Sequence, residues 1–269
     1  MNELDINNPQ LPDFIVPGAD EKKQDEPAKI KVIGVGGGGG NAVNHMYHQG
    51  IGGVSFVLCN TDAQALRNSP VPVKVQLGAK GEGAGNIPEV AKKLAEESAA
   101  EVEALFDDNT RMAFITAGMG GGTGTGAAPV VARIAKEKGV LTVGIVTIPF
   151  LFEGEPKILQ AFAGVEEMRK HVDALLVINN ERLCKIYPDL SWTTAFAKAD
   201  DSLSNAARSI AELVSKDGKI NLDFADVRTT LKDGGAAVIS TGSGEGEHRM
   251  SRAIQNALTS PLLKESDIY

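Results

Sequence analysis

The chain has 269 residues, 42% of them hydrophobic, enough for one large domain or two modest ones with a real core. Its 27 basic and 35 acidic residues leave a net charge of −8, which speaks against nonspecific nucleic-acid binding, since a phosphate-backbone binder needs a basic surface. No apolar stretch approaches a membrane span and the N-terminus lacks a secretion-signal layout, so direct membrane insertion is not expected and the expected compartment is the cytoplasm.

Residues 1–29 carry four prolines, many acids and amides and no sustained periodicity, and are expected to be a disordered tail. From Ile30 onward strand and helix signals alternate. Apolar runs predict strands over 30–35 and 54–59, the second running into Asn60-Thr61-Asp62, a capping cluster for a short helix. Alternation at Val71, Val73, Val75 and Leu77 predicts a strand with these four on one face, near the sheet edge. Pro88 opens a helix expected to run to Phe106. Strands follow at 111–117, 140–147 and 174–178, with helices near 127–138 and 156–171 between them. A long helix is expected over 202–215, with Leu203, Ala206, Ile210 and Leu213 on one core-facing stripe and a C-cap at Asp217-Gly218. Beyond it come a helix to about Lys232, a strand over 236–240 and a helix over 247–258. Near-continuous apolar strands alternating with helices predict an α/β fold with a mostly parallel sheet covered on both faces. One strand and two helices cannot close a second sheet, so the chain is expected to stop inside a second domain.

Two glycine-rich stretches stand at strand-to-helix junctions: Gly34-Val35-Gly36-Gly37-Gly38-Gly39-Gly40-Asn41 and Gly118-Met119-Gly120-Gly121-Gly122-Thr123-Gly124-Thr125-Gly126. Glycine lets backbone N–H groups approach a ligand, and a helix N-terminus adds partial positive charge. Two such stretches at the C-terminal edge of one sheet suggest a polyphosphate held from both sides. Gly34-x-Gly36-x-x-Gly39 also fits a dinucleotide-binding fingerprint, with Asp62 as the ribose acid, although such a site needs only one glycine clamp. Asp223 and Asp226, three apart near a helix start, read from spacing alone either as capping acids or as carboxylates projecting to one side.

The sequence Gly120-Gly121-Gly122-Thr123-Gly124-Thr125-Gly126 resembles the signature of the tubulin/FtsZ GTPase superfamily. Gly36 to Val43 and Asn221-Leu222-Asp223-Phe224-Ala225-Asp226-Val227-Arg228 resemble its FtsZ branch, and the resemblance extends from Ile30 to Tyr269. It implies a Rossmann-like GTPase domain over 30–218 with a long central helix, and over 219–269 the first part of an incomplete α+β second domain. It further implies GTP/GDP and Mg²⁺ as cofactors, GTP hydrolysis at the contact between subunits of a head-to-tail filament, and a place at the mid-cell division site with accessory division proteins. By resemblance, Gly37, Gly38, Gly39, Gly40 and Asn41 form one nucleotide loop, and Gly120, Gly121, Gly122, Thr123, Gly124 and Thr125 the second phosphate clamp. Glu153 contacts the ribose, Lys157 stands at a nucleotide-contacting position, Asn180 and Asp201 read guanine, and Phe196 stacks on the base. Asn221, Asp223 and Asp226 enter the next subunit's site and position the attacking water.

Three departures from the family pattern stand out: Lys157 replaces the usual arginine, Asp200 the usual asparagine, and the loop over 78–86 is short. That loop and the incomplete second domain keep open an alternative, a nucleotide-binding structural or regulatory relative without turnover. Other features read blandly. His45 and His48 lie on a surface helix without a third metal ligand, Glu96, Glu97, Glu101 and Glu103 form a solvated face, and Trp192 packs. Cys59 and Cys184 are expected as buried free thiols.

Overall fold

Apolar runs set the architecture. The computed structural model describes residues 29–186, 191–215, 224–237 and 242–258. Among them seven strands form one sheet, every pair parallel, in the order β3-β2-β1-β4-β5-β6-β7. These are β1 (Lys29–Val35), β2 (Val54–Asn60), β3 (Val73–Gln76), β4 (Thr110–Gly118), β5 (Leu141–Ile148), β6 (Ala174–Asn179) and the two-residue β7 (Gly235–Ala236). Parity along each strand divides the core. Ile33, Ile115 and Val146 point to a layer of helices α3 (Pro88–Glu97), α4 (Ala99–Ala104), α5 (Gly122–Glu137) and α6 (Glu155–Arg169). Val32, Phe114 and Ile145 face the opposite layer, built from α1 (Gly36–His48) and α8 (Trp192–Ser215), with α9 (Phe224–Leu231) against the same face. Short helices α2 (Ala63–Asn68) and α7 (Asn180–Ile186) follow β2 and β6, and α10 (Arg249–Leu258) closes the described residues. Burial on both faces is why the central strands are mostly apolar, their buried polar side chains being chiefly threonines (Thr116, Thr142, Thr147) and Lys31. This is the α/β fold with a parallel sheet that the apolar runs predict.

Four local differences from expectation have identifiable causes. The helix expected from Pro88 to Phe106 breaks at Ser98, whose buried hydroxyl accepts a hydrogen bond from Gly78 N–H at 2.8 Å; its backbone (φ −103°, ψ 23°) leaves the helix to do so. Val73 has the parity of Val75 and Leu77 yet is 43% exposed while those two are buried, because it opens the short edge strand β3. The central helix begins at Trp192 rather than Ser202 and runs 24 residues, because small buried side chains (Ala195, Ala199) extend the stripe of Leu203, Ala206 and Ala211. The first glycine stretch, finally, contains no loop, since β1 passes directly into α1 at Gly36, whereas the second keeps a turn over 119–121 between β4 and α5. The 1–28 part of the expected tail, the cap at Asp217-Gly218, the boundary at 218/219 and most of the expected 236–240 strand lie outside the described residues.

Candidate functional site

Since β1 and β4 are neighbours, the helices that follow them start side by side at the C-terminal edge of the sheet. Both starts are bare: neither has a side-chain cap or an acidic residue in its first turn. Their first N–H groups therefore have no intrahelical or capping partner, and their partial positive charge is not neutralised locally. Gly36, at φ +73°, fits because a β-carbon there would lie 2.8 Å from Gly124 N.

The glycines named from the sequence have two different tasks. Gly39, Gly120, Gly122 and Gly124 are packing glycines, with added β-carbons meeting the backbone of Thr116, Lys157, Ile87 and Gly118 at 2.2–2.8 Å. Gly38 is nearly as tight, at 3.1 Å from Gly118 Cα. Gly37 and Gly40 have nothing within 4 Å, and Gly121 only Asn86 Oδ1 at 3.9 Å. A β-carbon on any of these three would meet open space. A recess of about 50 Å³ lies beside Gly37 and Gly40, bounded also by Asn41, Asn60 and Ala65. The two threonines divide likewise. Thr125 is buried, and its hydroxyl accepts from Gly120 N–H at 2.9 Å, which fixes the turn before α5. Thr123 Oγ1 lies 2.7 Å from Thr61 Oγ1, joining α5 to the segment after β2.

An aromatic step follows β5. Phe150 is buried, Phe152 stacks on it at 4.8 Å, and Phe196 from α8 meets Phe150 edge-on at 5.2 Å. Phe152 and Phe196 remain 43% and 41% exposed, an apolar surface of the kind a planar ring can cover. Glu153 caps the turn it sits in, accepting from Phe150 N–H at 3.0 Å, and pairs with Lys157 at 3.4 Å. Asn180, the first residue of α7, is 95% buried by its 5% exposure, and its Oδ1 has no hydrogen-bond partner. An orphan buried oxygen costs about 1–3 kcal/mol unless something donates to it. Asp201 on α8 receives Nε2 of His45 from α1 at 2.7 Å and lies 3.5 Å from Lys198 Nζ. Beside it Asp200 is held up to about 6 by burial, partly opposed by His45 and reinforced by the Asp201 charge.

A model of the Tubulin/FtsZ family, GTPase domain, matches residues 29–188. The chain belongs to the Tubulin/FtsZ family. It is 66% identical over 247 residues to the cell division protein FtsZ of Porphyromonas gingivalis, covering 90% of this chain and 54% of that one. To FtsZ of Wigglesworthia glossinidia brevipalpis it is 48% identical, covering 90% and 64%. An empty FtsZ dimer from M. jannaschii superimposes with a TM-score of 0.84 at 45% identity, over 89% of this chain and 71% of that one. A GTPγS-bound protofilament of CetZ2 from Haloferax volcanii shares the fold at a TM-score of 0.66 and 24% identity, over 80% and 68%. The chain spans about half to two thirds of the curated FtsZ relatives' length.

Within this tubulin/FtsZ sheet one named residue stands far from the rest. Asp226 sits in the first turn of α9, two residues after Phe224, whose ring carries the Arg111 guanidinium at 4.4 Å. Arg111 lies at the N-terminal end of β4, whereas the second glycine stretch leaves its C-terminal end. Nine residues of strand, about 25–30 Å, separate the two edges, so Asp226 does not join the glycine site of its own chain. Asn221 and Asp223 lie outside the described residues, and of the Trp192 side chain nothing is described. The sequence missed Phe150, Thr61 and His45 as site neighbours. A period-based signal exists for His45 alone, since it lies four residues after Asn41 on the same helix face. His45 turns to Asp201 and His48 to Asn44 O, so the two do not converge. Cys59 is fully buried with its thiol pushed up to about 12 by burial, while Cys184 is only half-buried.

Proposed function

We propose that the chain binds GTP and GDP across the paired starts of α1 and α5, and hydrolyses GTP where a second copy completes the site in a head-to-tail division filament. The observation that carries this reading is the pairing of two uncapped helix N-termini over open glycines, with Asp226 one strand length away at the opposite edge. Phosphate oxygens accept from the first-turn N–H groups of Gly36 to Gly38 and of Gly122 to Gly124, replacing absent caps, with Gly39, Gly40 and Asn41 continuing the same helix beside them. The base covers Phe196 and Phe152, Asn180 Oδ1 gains the donor it lacks, and Asp201 accepts from guanine N1–H and N2–H, which adenine cannot offer. Glu153 and Lys157 border the ribose side.

Among the described residues no cluster of three or more His, Cys, Asp or Glu side chains is ready for a metal. A Mg²⁺ bound together with the nucleotide would supply charge that neutralises its phosphates. Asp226, with Asn221 and Asp223, polarises and orients the attacking water in the site of the next copy. With Asp226 at the far edge of its own chain, the water-orienting carboxylate reaches a bound nucleotide only from the next copy, which makes turnover conditional on assembly. The cell-division role, mid-cell location and accessory partners follow from the family reading.

Hydrolysis per molecule across a protein concentration series with Mg²⁺ tests this. A rate negligible when dilute and rising above a threshold is expected, with Asp226→Ala abolishing it while GTP affinity persists. Tight binding with a flat, near-zero rate at all concentrations overturns the hydrolytic half in favour of a non-hydrolysing relative. Strong NAD binding without GTP binding overturns the whole.

A further inference from the structure

The carboxylate of Asp201 is not left to rotate freely on α8. Its Oδ1 is met at 2.7 Å by Nε2 of His45, reaching across from α1, and its Oδ2 lies 3.5 Å from Lys198 one turn back on its own helix. The pair is about two-thirds buried, at 36% and 35% side-chain exposure, where a charge-assisted hydrogen bond is stronger than on an open surface. α1 is also the helix whose first turn holds the open glycines, and Asn41 stands four residues before His45 on the same face. The imidazole thus ties the plane of this carboxylate to the frame of the glycine site.

A second contact makes the tie conditional. The same Nε2 lies 2.7 Å from Nε2 of Gln49, whose Oε1 accepts from the Arg208 guanidinium. Arg208 thereby fixes which end of the amide faces the ring: the NH₂ group. One imidazole nitrogen cannot serve both neighbours. Carrying a proton it donates to Asp201, and without one it accepts from Gln49. Gln49 and Asp201 are competitors for a single nitrogen.

We propose that His45 is a positioning residue for base recognition: by donating to Asp201 Oδ1 it aims that carboxylate at the guanine donor pair, with Gln49, held by Arg208, as the opposing contact. The inference rests on the base-reading assignment of Asp201. A carboxylate that must accept from two adjacent donors needs a fixed plane, whereas a freely rotating one accepts from a single donor nearly as well. Loss of the imidazole donor should therefore weaken discrimination between bases that differ in one donor more than it weakens binding itself.

The test compares dissociation constants of the purified chain for GDP and for inosine diphosphate, which lacks the 2-amino group. His45→Phe, which keeps ring volume and removes the donor, should lower the GDP-over-IDP preference by about five- to tenfold, the loss of roughly one hydrogen bond. His45→Gln, whose amide N–H can reach Asp201, should restore most of it, and Gln49→Ala should keep or raise it. An unchanged preference in His45→Phe, or no restoration by His45→Gln, overturns the role of His45. Asp201→Asn separates the layers. Preference lost there but kept in His45→Phe refutes His45 alone, and preference kept in Asp201→Asn refutes the base-reading assignment beneath it.

Discussion

Gly39 and Thr116 stand backbone to backbone where α1 crosses the end of β4: a β-carbon on Gly39 would lie 2.2 Å from the Thr116 carbonyl oxygen. One residue further on, Gly40 faces open space with nothing within 4 Å. Gly39→Ala must push α1 away from the sheet and should destabilise the fold by about 2–4 kcal/mol, a drop of several degrees in thermal midpoint. Gly40→Ala should leave the unliganded midpoint level or slightly higher, since alanine suits a helix better, while shrinking the upward shift caused by GDP. Equal destabilisation by the two substitutions, read by calorimetry, would sink this division of the glycines.

Asn180 offers the reverse trade. Its buried Oδ1 lacks a partner, so Asn180→Leu, of similar volume, should not lower the stability of the unliganded chain and can raise it by about 1 kcal/mol. GDP affinity should fall at least tenfold, the size expected when a ligand donor meets no acceptor. Isothermal titration alongside urea unfolding checks both; retained affinity with lost stability would make Asn180 a structural residue only.

The adjacent threonines of the second glycine stretch should separate cleanly. Thr125→Val strands Gly120 N–H in a buried turn, at a cost of about 1–3 kcal/mol in urea unfolding. Thr123→Val removes a hydroxyl from a half-buried pair with Thr61 and should cost less than Thr125→Val, with its larger effect on nucleotide affinity. The opposite ranking of stabilities would reassign the two hydroxyls.

Asp200 makes stability depend on pH with a definite sign. Its pKa rises from the ordinary carboxylate value of 3.8 to about 6 in the folded chain, mainly through burial. The folded state then binds the proton more tightly than the unfolded one, so this group's contribution to stability declines as pH rises from about 4 to about 6. Asp200→Asn should stabilise the protein at pH 7 by roughly 1–2 kcal/mol, after discounting for residual solvent, and give little gain at pH 4. An equal gain at both pH values would assign the effect to something other than the buried charge.

The architecture was legible because the strands are buried on both faces: residues 30–35, 111–117 and 140–147 read as apolar runs that a covered parallel sheet explains. Helix ends were less legible. Nothing local reveals that the Ser98 hydroxyl is needed by Gly78, or that Ala195 and Ala199 carry the stripe back to seven residues before the expected helix start. In the site, the glycine positions were visible but not their two tasks, because whether a β-carbon meets backbone or solvent depends on strands far apart in the chain. His45 illustrates the same gap: its partner lies 156 positions away and appears only when α1 and α8 pack on one face.

The pairing of β1 with β4 also fixes a sequence of events in time. Ile30 bonds beside Met112, so the starts of α1 and α5 meet only after everything between them, β2 and β3 included, has been made or looped out. Local helices form in about a microsecond, whereas such long-range parallel closure is the slow part of folding. On topology, the phosphate cradle is expected to form late in folding. A nucleotide arriving during synthesis finds nothing to hold, and so its effect falls on the escape rate from the finished state: added GDP should leave refolding kinetics unchanged and slow unfolding in proportion to its occupancy.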